Sequence, residues 1–213
     1  MNNFKLEAQK NLAQTMIQNL AKRNMEGYYA ETKEEAVKLI MDKFLTEGKT
    51  VCYGGSMTLT ESGLMDAIKA GPCTLYDRAT AVTPEEVKDM NAKMINSDYF
   101  LMSTNAITVD GELVNIDGRG NRLSYLLYGP ENVIILTGMN KVVSSVEDGV
   151  RRVRDIASPP NTVRLNKNTP CAKTGRCGDC FSEDCICSQI VVTRRSGVKN
   201  RIKVVLVSEE LGY

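Results

Sequence analysis

Five of the seven cysteines fall between positions 171 and 187, in the run Cys171-Ala-Lys-Thr-Gly-Arg-Cys177-Gly-Asp-Cys180-Phe-Ser-Glu-Asp-Cys185-Ile-Cys187. The pair Cys177-Gly-Asp-Cys180 can turn both sulfurs toward one point and chelate a soft metal. Cys171, Cys177, Cys180 and Cys187 are the expected metal ligands. In an extended segment Cys185 and Cys187 point to opposite sides, so both are not expected on one ion. Four thiolates around Zn²⁺ or a [4Fe–4S]²⁺ cluster leave about two negative charges to be offset. Lys167, Lys173, Arg176, Arg194 and Arg195 are near enough in sequence to supply that offset. The spacing matches neither paired zinc knuckles nor the ferredoxin run. Iron–sulfur cluster and zinc therefore both stay open, beside reduced thiols used for redox sensing and a disulfide.

A second group of residues suits anions. Gly54-Gly55-Ser56 stands between an expected strand and an expected helix, where small residues let backbone amides approach a phosphate or carboxylate. Ser56 and Thr58 add hydroxyl donors, and Glu61 is the nearest carboxylate and the candidate general base. The loop around Asn115, Asp117, Gly118, Gly120, Asn121 and Arg122 offers guanidinium groups for a carboxylate or phosphate. Gly138, Asn140 and Lys141 follow an apolar strand, at the place where parallel sheets hold ligands. Each glycine turn alone also reads as a tight turn without a ligand.

No histidine occurs in the chain. Ser-His-Asp triads, Cys-His dyads and histidine-ligated metals are excluded, which leaves carboxylates, Lys, Tyr, Cys or water for proton transfer. With 27 basic and 26 acidic side chains, net charge gives no case for nucleic acid or an anionic membrane. No stretch approaches the ~20 apolar residues of a membrane span. The polar start of the chain lacks an apolar signal core, so a cytoplasmic location with reduced thiols is expected.

The elements that must position these groups alternate between helix and strand. An apolar stripe (Leu6, Leu12, Met16, Ile17, Leu20) predicts a helix from about 4 to 25, closed by Tyr28 and Tyr29. Thr32 to Glu35 forms a capping box for a second helix, and Thr58 to Glu61 forms another. Strands are expected at Thr50–Tyr53, Cys73–Asp77, Tyr99–Ser103 and Asn132–Thr137, with a hairpin turning at Asp110-Gly111. Thr83-Pro84-Glu85-Glu86 opens a helix carrying Met90 and Met94 toward the core. A later helix from Ser144 should stop at Pro159-Pro160, with no regular pattern from there to Cys187. Residues 189–193 and 201–207 are expected to pair with each other. Cys52 and Cys73 read as inert buried thiols.

The result is an α/β fold: a three-layer arrangement with largely parallel core strands and helices on both faces, plus a Cys-rich loop and a C-terminal strand pair. The 213 residues suit a single domain, divided into N-terminal helices (1–47), α/β core (48–160), Cys-rich loop (161–188) and C-terminal strands (189–213).

Gly54-Gly-Ser-Met-Thr-Leu59, Leu113-Val-Asn-Ile-Asp-Gly118, Gly120-Asn-Arg122, Gly138-Met-Asn-Lys141 and Asn168-Thr-Pro-Cys-Ala-Lys-Thr-Gly175 resemble the lactate-utilization (LUD) domain family, in the same order over most of the chain. The resemblance implies a fold like that of sugar-phosphate isomerases and CoA-transferases. It also implies a tie to oxidation of lactate to pyruvate beside iron–sulfur and flavin-type partner proteins. The family pattern has an arginine before Ile-Cys, where this chain has Cys185, which removes a counter-charge. The ferredoxin-like cysteine runs of larger lactate-utilization proteins are missing, which argues against long-range electron transfer within this chain.

The expected function is therefore binding of an anionic small molecule in 2-hydroxy-acid metabolism. Arg122, Lys141 and the amides of Gly54–Ser56 would hold the anion, and substituting Arg122 or Lys141 should weaken binding without unfolding. A non-enzymatic, metal- or redox-responsive accessory subunit is the alternative, favoured by the lack of a complete catalytic constellation. A CoA-ester or sugar-phosphate transferase or isomerase rests on fold analogy alone. Self-association into a homo-oligomer is also compatible with the sequence.

Overall fold

The computed structural model describes residues 3–213, so Met1 and Asn2 of the polar amino-terminal stretch lie outside the described residues. Helix α1 (Asn3–Lys22) buries Met16 and Leu20 of the stripe that the sequence marks, together with Ala13. Asn24, with φ of 58°, turns the chain into strand β1 (Glu26–Ala30). Tyr28 and Tyr29 thus stand on a strand rather than closing the helix. The expectation missed a five-residue edge strand that pairs in parallel with the last strand of the chain.

Helix α2 (Lys33–Lys43) is capped by Thr32, whose hydroxyl accepts from the Glu35 amide. Strand β2 (Thr50–Tyr53), helix α3 (Met57–Glu61) and helix α4 (Leu64–Ala70) follow, then β3 (Thr74–Tyr76) and a 3₁₀ turn at Arg78–Thr80. The expected box at Thr58 and Glu61 does not form, because Ser56 occupies the cap position without a side-chain bond. Helix α5 (Pro84–Ile95) does carry a full capping box from Thr83 and Glu86. Next come β4 (Tyr99–Met102), the hairpin β5 (Ala106–Thr108) and β6 (Leu113–Asp117), helix α6 (Asn121–Leu127) and strand β7 (Asn132–Gly138). Gly111, with φ of 89°, makes the hairpin turn expected at Asp110-Gly111.

The short strand β8 (Val142–Val143) leads to helix α7 (Val146–Arg152). Pro159-Pro160 does not stop the chain's helical path, contrary to expectation. A π turn over Val153–Ala157 passes into α8 (Ser158–Arg164), with proline in its first turn. A first-turn proline loses no helical hydrogen bond, which is why the path survives. Helix α9 (Pro170–Thr174) falls in the stretch where no regular pattern was expected. The last strands are β9 (Gln189–Thr193) and β10 (Ile202–Val207).

The expected pairing of these two strands is also corrected. β10 is buried along its whole length and lies between β1 and β7 in an all-parallel sheet ordered β1-β10-β7-β4-β2-β3. Continuous apolar runs suit such a position, covered on both faces. β9, with Ile190 and Val192 exposed, instead pairs antiparallel with β6 at the edge of a second sheet ordered β8-β5-β6-β9.

Alternation along the central strands builds two apolar layers. Val133, Ile135, Val204 and Leu206 pack with Met16 and Leu20 of α1, Met94 of α5, Leu123 of α6 and Ile107 and Leu113 of the small sheet. Ile134, Leu136, Val205 and Val207 pack on the opposite face with Ile40 of α2, Leu59 of α3 and Leu64 and Ile68 of α4. Fully burying a side chain of this kind contributes about 1.5–3 kcal/mol. Cys52 lies in the first layer, and burial pushes its thiol up to about 11. Cys73 is only half-buried. Among the described residues no helix is long and apolar enough to cross a membrane.

Candidate functional site

In a parallel sheet all strands end on one side, and the loops that follow them meet there. The segments after β2 (Gly54–Ser56), β4 (Ser103–Asn105) and β7 (Met139–Lys141) converge at this edge, with the segment after β10 (Glu209–Tyr213) behind them. The end of β6, the start of α6 and the π turn with α8 close the other walls. Together they enclose a cavity of about 300 Å³.

Of the residues that the sequence selects, Gly55, Ser56, Thr58, Asp117, Gly118, Asn121, Arg122 and Lys141 line this cavity. Gly54, Asn115, Gly120, Gly138, Asn140 and Glu61 do not line it. Most of these support the wall from behind. A side chain at Gly54 would lie 2.9 Å from the Arg122 stem, and one at Gly138 would lie 2.5 Å from the Glu209 carbonyl. Both positions therefore permit close approaches that only glycine allows. The Asn140 amide donates to Gly212 O at 3.3 Å, and its oxygen accepts from Leu211 N at 3.3 Å, tying down the last residues. Glu61 is exposed, and its carboxylate accepts from Gly212 N at 2.7 Å. Its position off the wall gives no support to a role as general base.

Arg122 is the hub of one wall. Its Nη1 donates to Ser103 O at 3.2 Å and Asn115 Oδ1 at 2.9 Å, and its Nη2 donates to Asn105 Oδ1 at 2.9 Å and Ile116 O at 3.0 Å. Its Nε lies 3.8 Å from Asp117 Oδ2. Burial lowers its pKa and Asp117 partly opposes that. The fork that the sequence offers to a ligand is thus occupied largely by the protein itself. Asn115, fully buried, keeps its amide nitrogen without a hydrogen-bond partner, and Asp117 Oδ2 likewise has none.

Lys141 sits deeper. Only 4% exposed, it donates to Thr58 Oγ1 at 2.8 Å and Ser103 Oγ at 3.2 Å. Burial, then the positive charges of Arg152 and Arg122, lower its pKa to about 7, against a weak pull from Glu61. Arg152, on α7, is held by the carbonyls of Asn140, Asn105 and Tyr213. Sequence reading missed Arg152, and also Arg78 and Arg164, which reach the cavity from the 3₁₀ turn and from α8. Only the fold brings Arg78 and Arg164, distant in sequence, to one cavity.

The five cysteines of the loop meet at a neighbouring cavity of about 40 Å³. Cys171 starts on α9 and lies within 3.2 Å of Thr169 Oγ1 and 3.4 Å of Thr162 Oγ1. Cys187 lies 3.3 Å from Ser158 Oγ. Cys185 and Cys187 both line the cavity, against expectation, since their segment is an irregular turn rather than a strand. The Ser182 hydroxyl and amide, then the Cys185 thiol, lower the pKa of Cys180, while burial raises those of Cys185 and Cys187.

The counter-charges differ from those expected. Arg154 lines this cavity and pairs with Asp179 at 3.0 Å, whereas Lys167 pairs with Asp184 and Arg194 and Arg195 stand beside Arg23 elsewhere. The thiols are gathered, and as soft donors they suit zinc or an iron–sulfur cluster. Among the described residues, however, no group of three or more Cys, Asp or Glu is arranged to hold a metal ion.

A parallel sheet covered on both faces, with a cation-lined cavity where its strands end, defines an α/β domain of the strand-end pocket type. The LUD domain family model matches residues 13–207. The chain belongs to the LUD domain family. Among solved structures it is similar to a duf162 family protein from Deinococcus radiodurans, at 15% identity and a TM-score of 0.53, over 93% of this chain and 96% of that one. That likeness supports the fold. A search of curated proteins found no match.

Proposed function

We propose that this LUD domain binds a small carboxylate of the 2-hydroxy-acid type, such as lactate, in the strand-end cavity. The observation that carries this reading is charge: Arg78, Arg119, Arg122 and Arg164 line the cavity, with Lys141 beside them, and among the described residues Asp117 is the one carboxylate side chain on the wall. Its volume of about 300 Å³ is at the small end of ligand sites and fits a metabolite of few atoms. Because Arg122 is engaged internally, the ligand's carboxylate falls to the more exposed Arg78, Arg119 and Arg164. Arg164→Ala is expected to weaken lactate binding roughly tenfold, the loss of one charge-assisted contact, while leaving the unfolding midpoint within error of wild type. Titration calorimetry at low salt reads the first effect and urea denaturation the second. Equal affinity in wild type and in both Arg78→Ala and Arg164→Ala would remove the basis of the reading.

The thiol cavity favours a second, compatible role as a redox- or metal-responsive accessory element. Ser158 and Ile186 line both cavities, so a change in the cysteine loop reaches the anion pocket wall directly. Zinc or an iron–sulfur cluster, bound through Cys171, Cys177, Cys180 and Cys187, would supply a rigid clasp there. An iron–sulfur or flavin-type partner protein is the corresponding docking candidate. In metal-free protein at pH 7 Cys180, with its lowered pKa, is expected to alkylate ahead of Cys187 and Cys52. Prior loading with zinc or reconstitution of a cluster should protect it. Mass spectrometry of the labelled peptides decides the point: no metal uptake together with an unordered pattern of labelling would sink this role.

A further inference from the structure

Lys141 has a feature that anion binding does not require. Its amine is removed from water, yet its hydrogen-bond partners are the neutral hydroxyls of Thr58 and Ser103. Among the described residues it forms no ion pair. Two buried guanidiniums, Arg122 and Arg152, flank it, each fixed by protein oxygen atoms. A lysine serving only as a positive charge gains from a paired carboxylate or from solvent, and this one has almost no solvent and only the weak, unpaired pull of Glu61. The permanent charge of the cavity comes from arginine. What the surroundings of Lys141 favour is an amine with a free lone pair, the arrangement that makes lysine a nucleophile toward carbonyl carbon.

We propose that Lys141 Nζ forms a Schiff base with a short 2-oxo acid held in the cavity by its arginines. The inference rests on the anion-pocket reading and adds a covalent step to it. The Nζ lone pair adds to the carbonyl carbon, and one of the two amine protons passes to the carbonyl oxygen to give a carbinolamine. The nitrogen then gives up its remaining proton to the hydroxyl, which leaves as water as the C–O bond breaks and the C=N bond forms. Amine and ketone thus become imine and one water, with no oxidant or reductant. The Thr58 and Ser103 hydroxyls, already within hydrogen-bond distance of Nζ, are placed to pass these protons. The lowered pKa of Lys141 leaves a large fraction of the amine unprotonated at neutral pH.

The experiment uses the full chain, pyruvate and sodium borohydride, with peptide mass spectrometry. One reduced pyruvate adduct is expected, mapped to the peptide containing Lys141 and lost in Lys141→Arg. Mapping on the wild-type protein keeps the test valid if that variant fails to fold. Saturable pyruvate binding by calorimetry without any adduct on Lys141 would overturn the imine and leave the anion pocket standing. Adducts spread over surface lysines and unchanged in Lys141→Arg would overturn it as well. No measurable binding of pyruvate or lactate would overturn the pocket reading itself, and the covalent step with it.

Discussion

Arg122→Ala is expected to lower the free energy of unfolding by about 3–5 kcal/mol, as removal of one partner from a buried charged network does. For a chain of this length that corresponds to a fall of roughly 10 °C in melting temperature. The reason lies in what the guanidinium holds. It ties the end of β4 (Ser103 O), the loop after it (Asn105 Oδ1), the middle of β6 (Asn115 Oδ1, Ile116 O) and Asp117 to the start of α6. Without it, two carbonyl and two amide oxygens in a largely dry wall each lose a charged donor, and Asp117 loses its counter-charge. The amide oxygens of Asn115 and Asn105 keep only the backbone donors Asn105 N and Ile116 N. Stripping these groups costs more than the net gain of making the bonds. Arg122→Lys should recover little, because an ammonium cannot reproduce a planar fork with four acceptors in two directions. Urea denaturation of both variants checks this. A wild-type midpoint in Arg122→Ala, with only ligand affinity lost, would show that the guanidinium serves the ligand rather than the wall.

That outcome departs from what the sequence suggests for Arg122, and the departure shows what is legible in a chain like this one. The position of the cavity was legible. Glycine turns after apolar strands mark the carboxyl edge of a parallel sheet, and Gly55, Ser56, Thr58, Asp117, Gly118, Asn121, Arg122 and Lys141 do share one cavity. The division of labour within it was not. Whether an arginine faces a ligand or a carbonyl depends on which distant backbone oxygens surround it, and Ser103 O and Ile116 O meet Arg122 only once β4 and β6 have packed.

The same holds for strands. Ile202–Val207 is recognisable as a strand from its apolar residues, but its neighbours β1 and β7 are set by crossovers of over sixty residues. A short strand such as Glu26–Ala30 has no local signal strong enough to separate it from the end of a helix. The cysteine loop failed in the opposite direction. An extended-chain argument placed Cys185 and Cys187 apart, and an irregular turn brought both to one cavity.

Lys141→Met should make the protein more stable than wild type at pH 6, by an amount that disappears as pH rises toward 10. In the unfolded chain the lysine titrates near its ordinary 10.5, and in the folded protein near 7. Below pH 7 both states carry the proton, so folding bears the full cost of burying a cation beside Arg152 and Arg122. Between pH 7 and 10.5 the unfolded chain holds a proton that the folded protein has released, and wild-type stability therefore rises with pH. A lowering of this size corresponds to several kcal/mol over the whole window, of the order of 5 at most. Methionine, similar in length and uncharged, has no such dependence.

The charged and titratable groups that face the amine are Arg122, Arg152 and Glu61. The two guanidiniums keep their charge across this range, so Lys141 is the group among them that changes charge. The Thr58 and Ser103 hydroxyls each keep another acceptor, Leu211 O and Thr104 O, so loss of the amine strands neither. Subtracting the unfolding free energies of variant and wild type at each pH isolates the lysine from other groups that titrate above pH 8. Curves that run parallel from pH 6 to 10 would mean that the amine stays protonated in the folded protein, and a cationic Lys141 has no lone pair with which to attack a carbonyl.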